Sequence, residues 1–210
     1  MPKRKGYILE KIADMDNLRA ADREAQSGKV TKNRFIRMHN EHAEDDLIKL
    51  REMILNLDFP PPEYTKMTVV SDGGKKRDII KQAYFPWRIL HHAILRVIGE
   101  DINKNLINDT CACIKGKGLH FGVNRMKMFL RRYPEYKWFV KIDIRKYYQS
   151  IPHDVIIKTL RHKYKDEKFI ELIKIALLSY ESGQEIIKCL QEDEEKKRNT
   201  NWGVYESAIR

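Results

Sequence analysis

Apolar positions recur every three or four residues through most of the first sixty, the signature of helices packed by one face. Residues 7–27 read as one helix closed by Gly28 as a C-cap. Thr31 can cap a second helix that runs to about Asn56, with Leu47, Leu50, Ile54 and Leu57 at helical spacing late in it. Its other face is charged and carries His39 and His42 one turn apart. No acidic ligand pattern surrounds the two, so a solvated helix face is expected there rather than a metal site. Phe-Pro-Pro-Pro-Glu-Tyr at 59–64 then breaks the helix.

The period changes next. Residues 64–70 and 75–82 are β-prone runs around Ser-Asp-Gly-Gly, a strong hairpin signal, and the returning arm is basic. Pro86 opens another helix at a good first-turn position, with Leu90, Ile94, Val97 and Ile98 on its apolar side. His91 and His92 are adjacent and point to different faces, which suits partly buried, hydrogen-bonded rings better than a shared metal. An extended piece with a glycine-spaced basic turn follows, then a basic helix that ends before Pro134. Residues 137–144, Lys-Trp-Phe-Val-Lys-Ile-Asp-Ile, read as a strand, and 154–166 and 167–180 as two amphipathic helices. The polar tail reads as weak helix and coil. This order is α+β, not repeated βαβ.

Composition narrows the partner. The 210 residues carry 41 Lys and Arg against 30 Asp and Glu, a net charge of +11. Such an excess favours a polyanion, nucleic acid first and an acidic membrane second. Cys111, Cys113 and Cys189 are few and odd in number, as expected of a reduced cytoplasmic protein. Cys111 and Cys113 are too close for ordinary disulfide geometry and read as small apolar residues on one extended face. No long apolar run follows the basic N-terminus, so neither a signal peptide nor a membrane span is expected.

Asp143 is the best single candidate for chemistry, because it ends an apolar strand where an acid needs a partner, a metal or a cleft. The carbonyl of Ile144 would lie beside it as a second oxygen ligand. On spacing alone, an Asp that caps the following turn is the favoured reading. Lys115 to Gly118, Lys-Gly-Lys-Gly, can offer backbone N–H groups and two ammonium groups to a phosphate at a helix start.

The segment from Lys141 to His153 resembles the first catalytic motif of reverse transcriptases, in the bacterial branch of group II introns, retrons and diversity-generating retroelements. The run 85–98 resembles that family's first conserved block, 109–126 the second, and 153–177 the helical segment after the catalytic strand. The blocks keep their order over roughly 7–181, which is far more specific than any one of them. The resemblance implies the fingers and partial palm of a right-hand polymerase: helix-rich, with a basic β-hairpin and a truncated antiparallel palm sheet. Residues 1–136 would be N-terminal helices and fingers, 137–181 partial palm, and 182–210 a divergent tail.

It also implies RNA-directed DNA synthesis, in which a primer hydroxyl attacks a deoxynucleoside triphosphate held with Mg²⁺. Asp143 and the Ile144 carbonyl would hold metal. Tyr148 would stand under the incoming sugar and exclude a 2′-hydroxyl. Lys76 and Arg77 of the hairpin would meet the triphosphate, Arg77 with a bidentate fork. Arg88, Lys115, Lys117 and Arg125 would follow the RNA template and its DNA or RNA primer.

The sequence departs from the family pattern at several points. Trp87 stands where an Asp usually precedes Arg88, and Val70, Ser71 and Asp72 stand where some relatives carry a second Lys. No Asp-Asp follows Asp143, and the family's Gly/Pro-Gln-Gly block is absent from "SYESGQEIIKC" onward. One carboxylate holds two Mg²⁺ poorly. An incomplete, inactive chain is therefore expected, with a bare strand edge that a partner chain or self-association would cover.

Overall fold

The computed structural model describes residues 4–27, 34–62, 64–70, 74, 76–111, 113–144 and 151–179; the side chains of Lys66, Arg77 and Asp78 fall outside that set. The chain divides into two compact units, one of Met1–Val97 with Pro152–Arg210 and one of Ile98–Ile151. Among the described residues the fold is helix-rich with one two-stranded antiparallel hairpin, an α+β composition. No described helix is long and apolar enough to cross a membrane.

The first unit begins with two helices where the pattern predicts one, α1 (Ile8–Ile12) and α2 (Met15–Gln26). Asp14 makes the break. Its carboxylate accepts the N–H groups of Asp16 and Asn17, each at 3.1 Å, and so satisfies donors that a new helix leaves open. Ile8, Leu9 and Ile12 of α1 and Leu18, Ala21 and Ala25 of α2 are buried. Gly28 and Thr31, the expected caps, lie outside the described residues.

The next expected helix is also two, α3 (Arg34–Glu41) and α4 (Ala43–Asn56), parted at His42. That break corrects the expectation for His39, which is 4% exposed and not on a solvated face. Its Nδ1 lies 2.8 Å from Asp46 Oδ2 on α4, and its Nε2 lies 3.3 Å from Asp22 Oδ1 on α2 without an aligned hydrogen bond. The Tyr84 hydroxyl donates to Asp22 Oδ1 through a short contact, and Gln26 Nε2 donates to Asp22 Oδ2 at 2.9 Å. The Tyr84 ring tilts against the imidazole at 5.3 Å, and Phe85 stacks on it at 6.1 Å.

Burial alone would lower the His39 pKa, but the two flanking carboxylates outweigh it and hold the imidazole above its ordinary value. Burial would likewise raise Asp22; contacts from His39, Tyr84 and Gln26 win and hold it below the carboxylate range. The Tyr84 hydroxyl is pushed up, first by burial and then by Asp22.

α4 ends at Leu57, whose φ of 57° turns the chain into the left-handed region before the prolines. The hairpin follows as expected: β1 (Tyr64–Val70) pairs with β2 (Lys76–Gln82), from Tyr64 opposite Gln82 to Val70 opposite Lys76. The Tyr64 hydroxyl donates to the Ser179 carbonyl at 3.1 Å and ties the base of this hairpin to the helical body. A π turn, Tyr84–Arg88, is kinked rather than helical throughout, with Phe85 extended (φ −99°, ψ 140°) and the Phe85–Pro86 bond cis, and it leads into α5 (Ile89–Asn103). Its Trp87 is buried against Phe59, with ring centres 5.2 Å apart. The buried stripe of α5 is wider than the expected one, because Ile89 and Ala93 join Leu90, Ile94 and Ile98.

The unit closes with α7 (His153–Lys163) and α8 (residues 167–179), after α6 of the other unit. Asp166 stands between them and caps two helices at once. Its Oδ2 accepts the N–H groups of Ile8 and Leu9 at 2.7 and 2.9 Å, and its Oδ1 accepts that of Phe169 at 3.1 Å. Beside it, Lys5 bonds by its backbone to Lys163 and Lys165, each at 2.9 Å. The start of the chain is thus fastened to a segment more than 150 residues later. Tyr164, Phe169, Ile170 and Leu172 pack beneath that junction.

In the second unit, α6 (Leu119–Arg132) follows a turn-rich stretch. The expected strand at 137–144 is not formed, so the truncated palm sheet is corrected to an irregular segment. The physical reason is the lack of a pairing strand among the described residues, without which a lone strand gains nothing from its backbone donors.

Asp166→Ala is expected to lower stability by about 2 kcal/mol, since it uncaps two helices. Urea unfolding followed by circular dichroism checks it. His39 contributes stability in full below its unfolded pKa of about 6.5, and loses it as pH rises through its raised folded value. Asp22 contributes above about pH 3.9 and loses that as pH falls through its lowered folded value. The urea midpoint should therefore be highest between about pH 4 and 6.5. The decline above that range should flatten in His39→Gln, which should also lose about 3 kcal/mol near pH 6.

Candidate nucleic-acid interface

The second unit concentrates positive charge. Residues 98–151 hold 11 Lys and Arg against 5 Asp and Glu, a net +6 of the whole chain's +11. α6 contributes Arg125, Lys127, Arg131 and Arg132 and has no acidic residue. It also buries none of its residues. The Lys-Gly-Lys-Gly turn stands at its start, with Gly116 at φ 81° allowing the reversal and Gly118 in the N-cap position.

Lys117 and Arg125 are brought together. Lys117 Nζ donates to the Asn108 carbonyl at 2.9 Å, and Arg125 Nε donates to Asp109 Oδ1 through a short contact. Arg125 and then Lys117 hold the Asp109 carboxyl below its ordinary value, although burial would raise it. Arg125 also lies over the Phe129 ring at 5.3 Å, and Lys117 over Phe121 at 5.4 Å. Lys115 is exposed at the preceding turn. Cys113 is exposed in that turn with φ 55°, and Cys111 is half-buried, so the shared extended face expected for them is not formed.

Asp143 is exposed and belongs to no regular element. Ile144 beside it is 60% exposed. The residues leading to them are barer still, with Trp138 at 93% and Phe139 at 89%. A pair of Mg²⁺ ions needs several oxygens in near-octahedral arrays. No group of three or more metal-ligating side chains occurs among the described residues, so what Asp143 and the Ile144 carbonyl offer does not fit such a centre. Tyr148 lies outside the described residues.

Lys76 and Arg88 belong to the first unit. Lys76 is exposed at the start of β2, opposite Val70. Arg77 pairs by its backbone with Val69. Arg88 is half-buried at the end of the π turn, close enough for its charge to favour the ionised form of Tyr84. The sequence reading missed the rings among the cations of α6. The signal was present, because Lys117, Phe121, Arg125, Phe129 and Tyr133 are each four residues apart, and the first four alternate charge with aromatic carbon.

No family model matches the chain. Part of it is similar to the uncharacterized 91 kDa protein in cob intron of Schizosaccharomyces pombe, with 33% identity over 108 residues, 51% of this chain and 13% of that protein. A shorter part is similar to the putative COX1/OXI3 intron 2 protein of Saccharomyces cerevisiae, with 36% identity over 44 residues, 20% of this chain and 5% of that protein. The chain therefore spans a small fraction of the length of these two intron proteins. Both come from fungi, so the bacterial placement drawn from the motifs is not what they carry.

The bare backbone at 135–144 should be the earliest tryptic target among the described residues. Cleavage after Lys137 and Lys141 is expected before cleavage after Lys49 or Lys104, which lie in or at the end of helices. Timed digestion read by mass spectrometry checks the order.

Proposed function

We propose that this chain is part of an intron-encoded protein of the reverse-transcriptase type, and that alone it binds nucleic acid without polymerising. The observation that carries the second half is Asp143. It is exposed, on a segment with no paired strand, and no group of three or more metal-ligating side chains occurs among the described residues. Preorganised charge is what a polymerase site needs, and an exposed carboxylate on an irregular segment supplies little of it. Support for the first half is the order of the motif blocks, together with similarity to two proteins named for the introns that contain them.

Under this reading the ancestral reaction is RNA-directed DNA synthesis with Mg²⁺ and deoxynucleoside triphosphates. The remaining carboxylates would have to come from chain beyond the motifs present here or from a second polypeptide. The apolar run from Trp138 to Ile142 favours completion by another strand or by self-association, since an uncovered run of this kind costs solubility. Binding of RNA would rest on the basic second unit. Its contacts would be mainly to phosphate, and so sensitive to salt.

Two measurements test this. Purified protein with an RNA template, DNA primer, Mg²⁺ and deoxynucleotides should give no extension above background; clear extension overturns the inactive reading. RNA affinity should fall about tenfold or more from 50 to 200 mM salt and stay within about twofold in Asp143→Ala. Binding that ignores salt, or that collapses in Asp143→Ala, contradicts it.

A further inference from the structure

We infer that α6 presents a stacking track for single-stranded nucleic acid, in which Phe121, Phe129 and Tyr133 take bases while Lys117, Arg125 and Arg132 take phosphates. This rests on the nucleic-acid reading above and adds which surface is used and which form of polynucleotide it accepts.

The track is visible as geometry. Lys117 lies over Phe121 at 5.4 Å, Arg125 over Phe129 at 5.3 Å, and Arg132 over Tyr133 at 5.6 Å. The Phe129 and Tyr133 rings are near-parallel, with centres 6.5 Å apart and planes 16° apart. α6 buries none of its residues, and both rings are exposed. A solvated basic helix face would account for the charge. It does not account for three aromatic rings, at 121, 129 and 133, each with a cation over it, two of them at the cost of exposing apolar carbon.

Charge complementarity selects the occupant. α6 has four basic side chains and no acid, and Asn124, Lys127, Met128, Arg131 and Arg132 line a shallow groove along it. A polyanion is the partner such a surface fits. Among polyanions, the spacing favours an unpaired strand. From Phe121 to Phe129 eight helical residues rise about 12 Å and from Phe129 to Tyr133 four rise about 6 Å, whereas stacked nucleotides of a duplex strand repeat every 3.4 Å or so. A duplex cannot bring successive base faces onto these rings. An extended single strand can unstack its bases onto them, a contact open to every base because every base has a π-face. In the free chain the cations rest on the rings; phosphates would draw them off and open the ring faces.

The test uses the full chain and fluorescence anisotropy with a labelled 20-nucleotide single-stranded RNA, the same sequence as single-stranded DNA, and its duplex. Phe121→Leu with Phe129→Leu keeps apolar bulk and helix propensity, and removes the π-faces. That variant is expected to bind either single strand about tenfold or more weakly with its salt slope unchanged. Arg125→Gln with Arg132→Gln should reduce the salt slope as well as the affinity. Circular dichroism matched to the parent chain keeps misfolding from imitating either result.

Unchanged single-strand affinity in the Leu variant overturns the inference, as does equal affinity for the duplex. Preference for phosphatidylserine vesicles over both strands overturns it too. Loss of stacking affinity in a chain that never extends primers leaves this inference standing and bears on the polymerase ancestry alone. Salt-dependent binding indifferent to the rings does the reverse.

Discussion

The buried imidazole of His39, held between Asp22 and Asp46, is the contact on which the N-terminal helices depend. It joins α2, α3 and α4, and through the Tyr84 hydroxyl it reaches the π turn that launches α5. A charge withdrawn from water costs several kcal/mol unless its partners face it closely. Here two carboxylates face one imidazole and raise its affinity for a proton, and the Tyr84 phenol and the Gln26 amide donate to Asp22 as well. The arrangement defines the angle of α3 against its neighbours more sharply than apolar packing could, since α3 buries only Ile36 besides the histidine. Asp166 plays the corresponding part at the other end of the unit, where one side chain orients the first helix and the last.

The two units therefore differ in kind. In the first, each described helix contributes buried side chains, and Asp14 and Asp166 cap the helices that start beside them. In the second, α6 and the residues after it leave large apolar side chains in water. A site for chemistry on a triphosphate needs fixed carboxylates; a surface for binding a strand needs only charge, rings and access. The second unit has the latter. This is the ground for proposing binding without catalysis on the same residues that carry the resemblance to a polymerase.

How much of this was legible in the sequence depended on the range of the interaction. The hairpin was readable because Asp-Gly and its flanking alternation are local, and β1 and β2 pair as that pattern requires. The helical segments were readable for the same reason, but their breaks were not. Asp14 looks like one more polar residue on a helix surface until its carboxylate is seen on the next N–H groups. His39 looked solvated because Asp22, its second partner, belongs to another helix and no periodicity links the two. The 138–144 segment shows the converse. Its β propensity is plain, but a strand exists only if something pairs with it, and propensity holds no information about a partner. For the candidate site, the sequence named Lys117 and Arg125, which hold the adjacent residues Asn108 and Asp109. It named Asp143 as well, and the exposure of that residue is a property of tertiary environment alone.

Amide hydrogen exchange read by mass spectrometry tests the central division between a fixed helical scaffold and an unpaired segment around Asp143. Peptides covering 47–54 and 89–98 should exchange slowly, through openings close to global unfolding. Peptides covering 137–144 should exchange at nearly the rate of an unstructured chain. Comparable slow exchange in 137–144 would contradict the account, because it would mean that the strand is paired and the site around Asp143 is built.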